Sequence, residues 1–255
     1  MLKLKFLVAL AALLGTAVPH AFAADYGAGA DWSRHGGGDD DSGYSRLKEI
    51  NASNVEKLGV ASYLDLPGEV SLESTPLAVD GILYFTGSYG VLYAVDPATS
   101  KILWKYDPEN WKRGSAKSRT GLPINRGAAF ADGRLFYCAL DGRMIALEAK
   151  TGKLLWSAET IPADSRQTCT GAPRTFRGQV IIGNGGASFG VRGYVTALDA
   201  ATVKLAWRFY TVPGSPEENK GDAVQEMAAK TWGGEWWKLG GGGTPWDGMT
   251  FDPEL

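Results

Sequence analysis

Cysteine and histidine are nearly missing from this 255-residue chain, which has two of each. Two cysteines make no disulfide framework, and no Cys-x-x-Cys-His run is present to attach haem covalently. There is no zinc-spaced His/Cys set, no phosphate-cradling glycine loop and no Ser/His/Asp arrangement. An excess of charge of either sign is also lacking. Basic and acidic side chains number 26 and 28, for a net charge of −2, which excludes the basic stripe that nucleic acid or an anionic membrane requires. Beyond the first two dozen residues there is no apolar run long enough to span a membrane. What is plentiful is glycine (34), tryptophan (9) and tyrosine (10). Many turn formers together with many large flat side chains point to an all-β protein.

Residues 1–24 read as a secretory signal peptide. Lys3 and Lys5 form the positive start, Phe6 to Leu14 the apolar core, and Ala21-Phe22-Ala23 the small-x-small cleavage pattern. The apolar core is shorter than the roughly 20 residues of a spanning helix. The mature protein then starts near Ala24 or Asp25, in a periplasm-like compartment. Cys138 and Cys169 could pair there if neighbouring strands bring them together, but they read better as buried free thiols. His35, in a glycine-rich stretch, reads as solvated.

A repeat organises the middle of the chain. Residues 94–104 (AVDPATSKILW), 146–156 (ALEAKTGKLLW) and 197–207 (ALDAATVKLAW) superimpose, with tryptophans 52 and 51 residues apart. Asp80-Gly81, Asp132-Gly133 and Asp141-Gly142 separate short apolar runs, with Arg177-Gly178 at a corresponding turn, and such dipeptides are hairpin signals. About four short strands per 50 residues describe a propeller blade. Trp104, Trp156 and Trp207 are then packing residues between blades. Residues 25–255 hold roughly four blades and stop in mid-blade, so the chain reads as the N-terminal part of a longer propeller. Residues 217–230 form a polar, partly helical insertion in the fourth period, followed by the glycine run 240–243.

The repeated A-x-D-x-x-T-G-x-x-x-W pattern resembles the tryptophan-docking motif of the pyrroloquinoline quinone (PQQ) dehydrogenases, eight-bladed β-propeller enzymes of the bacterial periplasm. Residues 72–76 (LESTP), 124–130 (INRGAAF), 170–200, 207–214 (WRFYTVPG) and 240–255 (GGGGTPWDGMTFDPEL) are similar to the soluble alcohol dehydrogenases of that family, especially the quinohaemoprotein type.

PQQ is a flat ortho-quinone with three carboxylates, so its pocket needs a cation, donors and an aromatic face. The resemblance implies that Arg126 holds the quinone end and that Trp246, off the 51-residue register, is the floor on which the ring stacks. It implies carboxylate contacts for the Thr170 and Thr244 hydroxyls and for the backbone of Gly185, Gly186 and Ala187. Glu73 becomes a hydrogen-bond partner lining the pocket. Without the resemblance, Arg126 would read as a surface ion-pair residue and Glu73 as an exposed strand carboxylate. Residues 183–188 are also a near miss to a dinucleotide fingerprint, but no helix follows them.

Two departures stand out. Thr120 and Gly121 occupy the positions of the family's adjacent cysteines, which form a ring disulfide above PQQ. Ser188 occupies the position of a glutamate that ligates Ca²⁺. The family's asparagine ligand and aspartate general base are expected beyond Leu255. The resemblance thus implies a periplasmic oxidoreductase with PQQ and Ca²⁺, and haem c in a C-terminal part. It would oxidise an alcohol, or a carbon next to nitrogen, and pass electrons to a cytochrome c or similar acceptor. The missing ring disulfide suggests a roomier or differently shaped mouth than in ethanol oxidisers, suited to a cyclic alcohol, a polyol chain or an alkaloid such as lupanine. The rival expectation is a non-catalytic propeller scaffold for protein assembly, which would not need Arg126, Trp246 and both threonines.

Overall fold

The computed structural model describes residues 29–113, 123–162 and 165–252. Within them lie three four-stranded antiparallel sheets, each running in chain order. The first blade comprises β1 (Leu77–Val79), β2 (Ile82–Thr86), β3 (Leu92–Asp96) and β4 (Lys101–Tyr106). The second comprises β5 (Ala129–Ala131), β6 (Arg134–Cys138), β7 (Arg143–Glu148) and β8 (Leu154–Glu159). The third comprises β9 (Arg174–Phe176), β10 (Gln179–Gly183), β11 (Tyr194–Asp199) and β12 (Leu205–Tyr210). These are propeller blades, as the repeat predicts. The first hairpin of every blade turns at a residue pair with both φ values positive: Asp80-Gly81, Asp132-Gly133 and Arg177-Gly178. That is the twist a two-residue hairpin demands.

The A…W motif has a packing cause. Ala94, Ala146 and Ala197 lie directly opposite Trp104, Trp156 and Trp207, and each outer strand shifts register at that point. All three alanines are fully buried. The Trp104 Nε1 donates to the Ala149 carbonyl at 3.0 Å and the Trp156 Nε1 to the Ala200 carbonyl at 3.2 Å. Each indole therefore hangs on the carbonyl of the following blade. Trp207 instead donates to Gln179 of its own sheet.

Inner strands are buried on both faces. In β6, Leu135 and Tyr137 pack towards the first blade among Leu77, Leu92 and Ile145. Phe136 and Cys138 pack towards the third among Val180, Ile182 and Leu198. Such strands read as continuous apolar runs, whereas the outer strand β8 alternates. Leu205, Trp207 and Phe209 of β12 are exposed. An apolar cleft of about 510 Å³ opens beside them, lined by Ile181, Val195, Trp207 and Phe251.

Two expectations are corrected. Cys138 and Cys169 are not free thiols but form a disulfide, and both are buried. The end of β6 and the extended segment before β9 lie in neighbouring blades, which brings the two Cα atoms to 5.8 Å, within bridging range. Nor is His35 solvated. It is half-buried, with Nδ1 4.0 Å from Asp41, and Gly36, Gly37 and Gly38 beside it are buried.

After β12 no further four-stranded sheet forms among the described residues. The polar insertion is helical as expected, in α1 (Pro216–Asn219) and α2 (Ala223–Ala229). Ser215 and Glu218 make a reciprocal capping box on α1, and Asp222 caps α2. Residues 240–247 then fold back on the third blade. Among the described residues no helix is long and apolar enough to cross a membrane. The proposed signal peptide, residues 1–24, lies outside the described residues, as do Thr120 and Gly121.

Candidate functional site

Arg126 lies on the segment that enters the second blade. Its backbone N–H donates to the Thr170 carbonyl at 2.9 Å, and its own carbonyl accepts from the Thr75 N–H at 3.2 Å. The entry segments of three successive blades are thereby laced together at this one residue. The adjoining Asn125 is fully buried. Its Nδ2 donates to the Cys138 carbonyl (2.9 Å), and its Oδ1 accepts from the Gly127 N–H (3.1 Å) and the Thr86 hydroxyl (2.9 Å). A buried amide with all of these partners has one orientation, which sets where Arg126 points.

The Arg126 guanidinium donates from Nη1 to Thr170 Oγ1 at 2.8 Å. Nη2 stands 3.8 Å from Glu73 Oε2. Cζ lies 4.5 Å from the centre of the Trp246 ring. Glu73 is 42% exposed, so its ion pair contributes about 1 kcal/mol or less. The hydroxyl and the indole hold the cation more firmly.

Trp246 reaches this point because its loop sits on glycines. The Gly242 N–H donates to the Val191 carbonyl (3.1 Å), the Gly193 N–H donates to the Gly242 carbonyl (2.8 Å), and Thr211 Oγ1 donates to the Gly243 carbonyl (2.6 Å). A Cβ at Gly183 or Gly171 would collide with the carbonyl oxygens of Pro245 and Trp246 respectively. Backbone therefore lies flush on backbone. Thr244 is half-buried and accepts from the Trp246 N–H at its carbonyl (3.2 Å). Trp246 stays 40% exposed, unlike the docked Trp104 and Trp156.

The segment of Gly185, Gly186 and Ala187 follows β10. Gly185 and Thr168 exchange backbone hydrogen bonds at 2.8 and 3.2 Å, which ties this segment to the strand leading to Thr170. Gly186 adopts φ 104°, open to glycine and costly for other residues. Ala187 and Ser188 begin an exposed single turn of 3₁₀ helix. Asn184, fully buried, donates from Nδ2 to the Arg192 carbonyl and accepts the Tyr194 N–H. It plays for Gly185 the part Asn125 plays for Arg126. Sequence reading passed over both asparagines. No local signal marks either one, because an exposed turn asparagine reads the same in the sequence.

Thus Glu73, Thr170 and Trp246 each meet Arg126. Thr244 shares the Trp246 loop, while Gly185, Gly186, Ala187 and Ser188 join through Thr168. The pKa of His35 is lowered by partial burial first and then by the Arg174 charge; Arg126 adds a smaller push in the same direction, and Asp41 and Asp247 oppose it.

This arrangement fits a flat anionic cofactor. A partly exposed indole with the Arg126 guanidinium over it, donors on that guanidinium beyond the one given to Thr170, and hydroxyls at Thr170 and Thr244 match a ring bearing carboxylates. Calcium is matched less well. Ser188 offers one exposed hydroxyl, and the described residues contain no group of three or more His, Cys, Asp or Glu side chains able to hold a metal.

Residues 32–255 match the family described as glucose/ethanol/alcohol dehydrogenase, β-propeller domain, of PQQ type. Among curated relatives, the quinohemoprotein alcohol dehydrogenase ADH IIB of Pseudomonas putida is 50% identical over 96% of this chain and 36% of its own length. A 1-butanol dehydrogenase (cytochrome c) of Thauera butanivorans is 41% identical over 87% of this chain and 32% of its own. The solved quinohemoprotein alcohol dehydrogenase of Comamonas testosteroni superimposes with a TM-score of 0.82 at 45% identity, covering 91% of this chain and 35% of that one. The chain spans about a third of the length of the relatives it matches.

Proposed function

Because this chain belongs to the PQQ-type glucose/ethanol/alcohol dehydrogenase β-propeller family, we propose that it carries one wall and the floor of the PQQ pocket of a periplasmic alcohol dehydrogenase. The observation that carries this reading is the contact of Arg126 with Trp246, braced by Thr170. Blade packing requires neither a cation over an off-register tryptophan nor a loop seated on glycines to present it.

When bound, PQQ would supply the two-electron oxidising chemistry that converts CH–OH to C=O, the two electrons and two protons that leave the alcohol being taken up by the cofactor. The chain's own residues hold and polarise. Trp246 gives the cofactor ring a flat apolar surface and keeps water from that face. Arg126 keeps guanidinium N–H donors available to a quinone oxygen, where negative charge grows on reduction. Thr170 and Thr244 offer hydroxyls to carboxylates, and the backbone of Gly185, Gly186 and Ala187 permits close approach. Glu73 balances the Arg126 charge from the exposed side.

The finer assignments rest on the relatives and on the sequence. The relatives named quinohemoproteins support haem c in the full enzyme, and the one named for cytochrome c supports that class of acceptor. The signal-like residues 1–24 support periplasmic export. Calcium near Ser188 rests on the resemblance alone, and no step is assigned to it. The substrate is an alcohol, and Thr120 and Gly121 in place of a cysteine pair favour a bulky one. The test is reconstitution. Apo full-length protein given PQQ and Ca²⁺ should develop a quinone absorption band and reduce a dye when alcohol is added. A protein that folds, binds no PQQ and reduces no dye contradicts the reading and favours a scaffold.

A further inference from the structure

Five links close a ring behind the cofactor-facing residues. Arg126 Nη1 donates to Thr170 Oγ1, and the Arg126 N–H donates to the Thr170 carbonyl. Thr170 follows Cys169 in the chain. Cys169 is bonded to Cys138. The Cys138 carbonyl accepts from Asn125 Nδ2 at 2.9 Å, and Asn125 directly precedes Arg126. Both cysteines and Asn125 are at most 2% exposed; the cysteines pack in the core between the second and third blades, and Asn125 is buried against Thr86 of the first blade and Cys138 of the second.

We infer that the Cys138–Cys169 disulfide is a positioning brace that fixes Arg126 against Thr170 across the seam between those blades. This inference rests on the PQQ reading above. Without the bridge, Arg126 and Thr170 belong to different blades joined at this point by hydrogen bonds alone, and a small slide of one sheet past the other would change their spacing. The bridge removes that slide where it matters, one residue from Thr170 and one hydrogen bond from the neighbour of Arg126. The chain that lacks a cysteine pair at Thr120 and Gly121 thus carries a covalent link behind the cofactor site. Cys138, Cys169 and Asn125 touch no cofactor on this account; they are positioning residues, acting through the pair they hold.

The test uses full-length protein and two variants, Cys138→Ala/Cys169→Ala and Asn125→Asp, with PQQ alone as the probe. Equilibrium PQQ affinity is measured well below the melting temperature, alongside the melting temperature of the apo protein. The brace predicts that each folded variant binds PQQ about tenfold more weakly, the worth of one hydrogen bond to a charged group. It also predicts that adding either change to Arg126→Gln weakens PQQ binding much less than the same change does in the parent, because the positioned group is gone. A lower melting temperature with unchanged PQQ affinity in both variants would make the disulfide a fold staple only and overturn the inference. If the double-alanine variant does not fold, the variant Cys138→Ala/Cys169→Val, which refills part of the lost volume without a bridge, decides by the same two readouts. Failure of the parent protein itself to bind PQQ would overturn the PQQ reading first and this inference with it.

Discussion

The Arg126 guanidinium sits 4.5 Å above the centre of the Trp246 ring while donating to Thr170. Arg126 enters the second blade and Trp246 follows the helices after the third. The contact therefore depends on blade stacking, which aligns the entry segments, and on the glycine seat, which lowers the Trp246 loop onto the third blade.

The glycine seat is testable at Gly183. An alanine there places a methyl group on the Pro245 carbonyl oxygen, which is backbone and has no rotamer of escape. Gly183→Ala should destabilise the protein by about 1–3 kcal/mol through overpacking and weaken PQQ binding by lifting Trp246. Gly59→Ala, where a Cβ meets nothing within 4 Å, serves as the control and should change neither. Melting curves and PQQ titration of both variants check this.

Ser188 bears on the proposed calcium site. Calcium affinity follows the number of charged oxygen ligands, and on the calcium site that the resemblance implies Ser188 brings one neutral hydroxyl in place of a carboxylate. On the proposed function, the full-length protein should lose activity readily to a chelator and regain it with millimolar-range Ca²⁺. Ser188→Glu should bind Ca²⁺ more tightly, as read by the chelator concentration needed to inactivate it. An unchanged or weaker affinity in a folded, PQQ-binding variant would place the metal elsewhere.

His35 sets a pH dependence. Partial burial, then Arg174, lowers its folded-state pKa below the ordinary value of 6.5. Between the two pKa values the unfolded chain binds more protons than the folded one, so stability rises with pH there. The contribution is complete above about pH 6.5 and is lost as the pH falls through the lowered folded-state value. Denaturant unfolding followed across this range should show a slope that His35→Gln flattens; an identical slope in the variant would contradict it.

Much of this was legible in the sequence because propeller repeats carry their packing with them. The alanine and tryptophan of each repeat are cross-strand partners, and the two-residue turns require φ signs that Asp-Gly supplies. The candidate site was legible only through its likeness to a family, since residues at 73, 126, 170 and 246 share no local period. The disulfide was not legible. Cys138 and Cys169 look like two apolar-strand cysteines until the stacking of two blades sets their distance. Asn125 and Asn184 stayed hidden for a similar reason. Nothing in composition separates a buried asparagine that locks a turn from an exposed one that makes it.

The most direct measurement is equilibrium PQQ binding to the full-length apo protein and to Trp246→Ala and Trp156→Phe. The parent should bind saturably. Trp246→Ala should bind about tenfold more weakly or worse, having lost the stacking face. Trp156→Phe loses a hydrogen bond to the Ala200 carbonyl, worth about 1 kcal/mol, and should melt a few degrees lower at unchanged PQQ affinity. Equal PQQ affinities for the two folded variants, or no binding by the parent, would contradict the account.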